Sequence, residues 1–179
     1  KRSAIWLSDD NSFNTIEENV IIGPDTTLSS SVFSVIYCEG GAPWVVKVSS
    51  NNITIKNNVI KKGSVSINWK VHFRSYSPGK NNSIIGNQLL DFSFAGIRIE
   101  RQDTLDISKN KFISSRPNVN SGISSQYGCS NSVINSNEIN LDKATYGINI
   151  GVNTGNNAKR TDIINNFISI TLCKFRKII

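Results

Sequence analysis

Apolar residues in this chain fall in runs of two to four, rich in Ile and Val and broken throughout by Asn, Ser and Gly. One spacing recurs six times, Ile-x-x-Asn-x-(Ile/Leu/Phe), at Ile16–Ile21, Ile55–Ile60, Ile84–Leu89, Ile107–Phe112, Ile134–Ile139 and Ile163–Ile168. Its asparagines are Asn19, Asn58, Asn87, Asn110, Asn137 and Asn166, separated by a first step of 39 and then by 29, 23, 27 and 29 residues. Between them lie alternating segments: Val46-Lys47-Val48, Val71-His72-Phe73-Arg74, Ile97-Arg98-Ile99-Glu100, Ile123-Ser124-Ser125-Gln126 and Ile148-Asn149-Ile150-Gly151. Their first residues are 25, 26, 26 and 25 positions apart. Alternation of apolar and polar residues marks a strand with one buried face. Each repeat therefore predicts three very short strands: one before the Asn, one after it and the alternating one. No helical periodicity competes, and Asn, Ser and Gly favour turns between strands. A recurrence of this size predicts a coil of stacked repeats, whereas an Asn-rich sandwich has no reason to keep such a period. Asn suits the corner because it tolerates the left-handed conformation and bonds neighbouring backbone. In stacked coils the carboxamides also lie above one another and form a ladder.

The Ile-x-x-Asn-x-Ile copies, with Gly96, Gly122 and Gly147 each opening a Gly-Ile segment between them, resemble right-handed parallel β-helix repeats of the pectin-lyase-like superfamily. The likeness spans roughly residues 16–170 and is closest to phage tailspike and polysaccharide-depolymerase β-helices. It implies an all-β, single-stranded right-handed parallel β-helix with three strands per coil in three parallel sheets. It places the Asn corner between the second and third strands and makes the Gly-Ile segments first strands. It also implies that substrate lies along the first-strand sheet, where tailspike depolymerases use Asp/Glu pairs.

Residues 1–179 read as a single β-helix module of six to seven coils, a rod roughly 30 Å long at ~4.8 Å per coil. Solenoid ends need caps. No amphipathic capping helix is apparent, Lys1–Leu7 begin without Met, and the chain contains no Met. The expectation is a fragment, or a module whose ends are covered by other subunits, as in a homotrimer or larger assembly. A net charge of +7 and a pI near 9.5 favour an anionic partner. Acidic polysaccharide is preferred over nucleic acid, because the cations are dispersed and no nucleic-acid motif is present. No apolar run approaches a membrane span and no signal peptide is visible, so the expected setting is extracellular or on a virion. Cys38, Cys129 and Cys173 form neither a disulfide framework nor a zinc pattern and are expected to pack as small apolar residues. No cofactor or metal is expected.

Stacking the alternating segments by their period gives two outward columns: Lys47, His72, Arg98, Ser124 and Asn149, and Ser49, Arg74, Glu100, Gln126 and Gly151. Ile99 and Ile148 then point inward. Lys47, His72, Arg74, Arg98 and Glu100 form a charged cluster, read either as a solvated face with an Arg74–Glu100 cross-strand pair or as a carbohydrate groove. Trp44 and Tyr127 are the aromatics expected to be exposed for stacking on sugar rings, while Trp69 and Phe94 are expected to pack. Glycoside hydrolysis needs two carboxyl groups, for which Glu100 with Asp91 or Asp103 is the candidate set; Asp106 is expected to be ordinary surface. Uronate elimination would draw its base and its cations from Lys47, His72, Arg74 and Arg98. No cluster of carboxylates suggests a calcium site on this face. A structural or adhesive β-helix that holds glycan without cutting it is the non-enzymatic alternative. An ice-binding ladder is disfavoured, since the columns are charged and irregular.

Overall fold

The computed structural model describes residues 3–8, 12–25, 33–40, 50–71, 78–127, 129–151 and 160–171. They form an all-β parallel solenoid of about five turns, rather than six to seven, with no helix among the described residues. Three six-stranded sheets make its walls. The first sheet stacks Ile5–Ser8, Ser34–Gly40, Val65–Val71, Ala95–Glu100, Ser121–Gln126 and Tyr146–Ile150. The second stacks Thr15–Glu17, Thr54–Lys56, Ser83–Ile85, Asp106–Ser108, Ser132–Asn135 and Thr161–Ile164. The third stacks Val20–Ile22, Val59–Lys61, Gln88–Leu90, Lys111–Ser114, Glu138–Asp142 and Phe167–Thr171. Each strand pairs in parallel with its equivalent in the next coil, so side chains of like position form columns about 4.8 Å apart.

Alternation fills the interior. The inward positions of the first sheet are Ile36, Ile67, Ile97 and Ile123; those of the second are Ile55, Ile84 and Ile107; those of the third are Ile60, Leu89 and Phe112. All are fully buried. Ile99 is buried as its alternation predicts, and Ile148 is partly buried against the same core. Cys38 lies inside the core, where desolvation raises the pKa of its thiol well above the ordinary range.

The six repeat asparagines form the predicted ladder between the second and third strands. The Oδ1 of Asn87 accepts from the backbone N–H and the Nδ2 of Asn58, each at 3.0 Å, and Asn110 serves Asn87 at 2.9 and 3.0 Å. Each carboxamide after Asn19 also donates to a carbonyl of the preceding coil, as from Asn110 to Ile84 at 2.8 Å. The column therefore satisfies its own buried donors and acceptors. The left-handed conformation expected of the Asn falls one residue earlier. Glu18, Asn57, Gly86, Lys109, Ser136 and Asn165 have φ of 57°, 53°, 67°, 56°, 54° and 51°, and the ladder residues do not. The earlier residue makes the turn, which frees the Asn side chain to point along the solenoid axis.

The first sheet corrects the register inferred from the period. Ile97, Ile123 and Ile148 stack as expected, but below them come Ile67 and Ile36 rather than Val71 and Val46. Solenoid loops vary in length at little cost, so an even spacing was a poor guide where coils carry insertions. Trp69 lies in this strand, fully buried, and not in a loop.

The glycines before Ile97, Ile123 and Ile148 have a packing reason. A Cβ at Gly96, Gly122 or Gly147 would meet the side chain of Phe112, Ile139 or Ile168 at 2.5, 2.9 or 2.4 Å. In the earlier coil Val35 holds that position, and the glycines Gly23 and Gly63 lie in the corners that follow the third-sheet strands. A Cβ at Gly23 or Gly63 would come within 2.7 or 2.6 Å of Val35 Cγ2.

Candidate functional site

The outward columns of the first sheet run Tyr37, Asn68, Arg98, Ser124, Asn149 and Glu39, Lys70, Glu100, Gln126. The partners of Arg98 and Glu100 in the coil below are thus Asn68 and Lys70, in place of His72 and Arg74. Lys47, His72, Arg74 and Trp44 lie outside the described residues.

Glu100 is outward, and it is held. Its Oε1 is 3.2 Å from Lys70 Nζ and 3.2 Å from Arg98 Nη2, and that guanidinium nitrogen also donates to Gln126 Oε1 at 3.2 Å. Side-chain exposures of 28% for Lys70, 18% for Arg98 and 13% for Glu100 withdraw the group from most of the solvent. A carboxylate in this setting has its charge balanced by two cations. The Lys70–Glu100 contact also replaces the expected Arg74–Glu100 pair.

The other two carboxylates point elsewhere. Asp103 Oδ1 accepts from Ser130 Oγ at 3.0 Å and Asn131 Nδ2 at 2.8 Å, which ties one corner to the next coil. Asp91 is exposed in the turn that precedes the strand, with φ of 56°. Asp91 lies before the start of the six-residue strand Ala95–Glu100 and Glu100 at its far end, and that extended strand alone spans about 16 Å. That exceeds the roughly 5–9.5 Å of a glycosidase pair. The structure therefore does not bring Asp91 to Glu100.

The same columns hold two notable polar atoms, one on Arg98, which the sequence singled out, and one on Asn68, which it did not. Among the described residues Asn68 Oδ1 and Arg98 Nε are buried without a partner, and their residues are register neighbours on the outward face. Asn68 Nδ2 donates to Ser34 Oγ at 2.9 Å, which leaves its carbonyl as the free end. One atom accepts and the other donates, the two roles that a hydroxyl group meets at once. Alternation alone predicted an outward Arg98. The match with Asn68 required the correct register. Tyr127 is 58% exposed at the corner after Gln126, with φ of 56°, beside these columns as expected of a stacking aromatic. Phe92 is fully buried.

Among the described residues no helix is long and apolar enough to cross a membrane. No family model, curated protein or solved structure matches this chain.

Proposed function

We propose that this chain is a polysaccharide-binding β-solenoid that holds an acidic glycan along the outward face of its first sheet without cutting it. The observation that carries the reading is the unpartnered pair Asn68 Oδ1 and Arg98 Nε, an acceptor and a donor side by side on that face. Tyr127 offers an apolar surface nearby, and the net charge of +7 favours an acidic polymer. Glu100, engaged by Lys70 and Arg98, argues for binding rather than hydrolysis. In this reading the chain is a module of the pectin-lyase-like kind, closest to tailspike β-helices, working outside the cell or on a virion, singly or in a trimer.

The test is incubation with polygalacturonate, alginate, hyaluronate and capsular polysaccharides. Retention that weakens with salt is expected, with no new reducing ends and no absorbance from unsaturated uronates. Asn68→Ala and Arg98→Ala should each weaken retention several-fold, from the loss of one hydrogen bond worth ~1 kcal/mol or somewhat more. Reducing ends released by the parent chain and abolished in Glu100→Gln would replace this reading with a hydrolase. Unsaturated products would replace it with a lyase.

A further inference from the structure

The second sheet carries an outward carboxylate in a different setting. Asp106 and Ser108 flank the buried Ile107, so both side chains face out. They line an open groove of about 470 Å³ that crosses three coils. Its apolar surface is supplied by Ile85 and Val133, and Asn135 and Lys109 stand along it.

Long cations and carboxylates that are register partners on this solenoid close on one another. Lys56 and Glu17 meet at 2.5 Å, Lys111 and Glu138 at 3.1 Å, and Lys70 and Glu100 at 3.2 Å. Asp106 has Ser83 on one side and Val133 on the other. Among the described residues its half-buried carboxylate makes no hydrogen bond or ion pair. Asn135 uses its carbonyl to accept from Ser136 Oγ at 2.9 Å, which leaves its amide free to donate into the groove.

We propose that this groove is a binding site for one ring of a neutral saccharide. A carboxylate accepts from two adjacent hydroxyls at once, an arrangement that vicinal diols offer. The Asn135 amide supplies the donor that a third oxygen needs. Ile85 and Val133 present aliphatic surface to the C–H face of the ring, and the volume falls in the usual range for a small-molecule site. Asp106 and Lys109 together leave the groove without net charge, so a uronate gains nothing there over a neutral sugar. The site is independent of the first-sheet reading, because face, ligand charge and residues all differ.

The experiment is titration of the whole chain with neutral gluco-, galacto- and manno-trisaccharides, with a glucuronate-containing trisaccharide and with calcium alone. The side-chain amide resonances of Asn131 and Asn135 are the readout. At least one neutral trisaccharide should shift the Asn135 amide saturably, and Asp106→Ala should weaken that binding about ten-fold or more. Asn68→Ala on the first sheet should leave it unchanged. Val133→Asp, which crowds the groove with a second charge, should abolish it while the folded spectrum persists. The proposal is overturned by silence from all three neutral sugars at millimolar concentration. Undiminished binding in Asp106→Ala, tighter binding of the uronate, or saturable binding of calcium alone at the same resonances would each overturn it as well.

Discussion

Glu100 and Asp106 are close in sequence and both face outward from the same solenoid, yet their circumstances are opposite. Glu100 lies in a column with Lys70 below it and Arg98 beside it on its own strand, and it is closed by both. Asp106 lies between Ser83 and Val133 and is closed by neither. The backbone geometry of the two walls is the same, so the difference comes from which residues share a column. In a stacked fold, each outward side chain has two neighbours about 4.8 Å away, set by register rather than by sequence proximity. A charge becomes structural where the coil above or below supplies its opposite, and stays available where it does not.

The largest effects should show where the two walls are alike. Ile99 behind the first face and Ile107 behind the second are both buried in one core. Truncation of either to Ala should cost ~2–5 kcal/mol by denaturant titration. A loss below about 0.5 kcal/mol at one of them would show that this wall presents its other face to the core. Next comes the contrast itself. Glu100→Gln leaves Lys70 and Arg98 short of their counter-charge in a mostly buried setting, and should destabilise by roughly 1–3 kcal/mol. Asp106→Asn has no partner to lose among the described residues and should stay within about 0.5 kcal/mol of the parent. Equal costs for the two would erase the distinction. A double-mutant cycle between Lys70→Ala and Glu100→Gln should give a coupling of about 0.5–1.5 kcal/mol, and a zero would mean that Arg98 alone holds the carboxylate.

The smallest effect belongs to neither face. Arg116 donates to the carboxylate of Asp25 at 2.6 Å, and that hydrogen bond, foremost among its causes, lowers the Asp25 pKa from the ordinary aspartate range. The folded value is the depressed one, so this contribution is complete above the ordinary aspartate range and fades as pH falls through the lowered value. Solvent screens the exposed Asp25 carboxylate, so acid titration of Arg116→Ala against the parent should differ only slightly, and only at the acid end.

The ladder was legible because an amide that must satisfy itself recurs as one residue type, Asn, in a fixed Ile-x-x-Asn setting. The first strands at Ile97, Ile123 and Ile148 were legible from the glycine before each. Ile67-Asn68-Trp69-Lys70 alternates just as well as Val71-His72-Phe73-Arg74, and an even period selected the wrong one. That choice set Arg74 where Lys70 stands, so the outward position of Glu100 was foreseen and its partners were not. The unpaired setting of Asp106 was not legible for a related reason. Its availability depends on Ser83 and Val133, residues of other coils that no local motif ties to it, and on the space that their short side chains leave open.

The exchange of bulk between Val35 and the glycines opposite has an evolutionary corollary. Gly23 and Gly63 in the corners after the third-sheet strands answer a valine in the first sheet, whereas Gly96, Gly122 and Gly147 answer Phe112, Ile139 and Ile168. Enlarging Gly23 alone should be rejected, and shrinking Val35 alone should leave a void; a descendant that changes both can pass. These sites are expected to drift as linked pairs, coil by coil, so that their covariation would record the stacking order even after the repeats themselves have become unrecognisable.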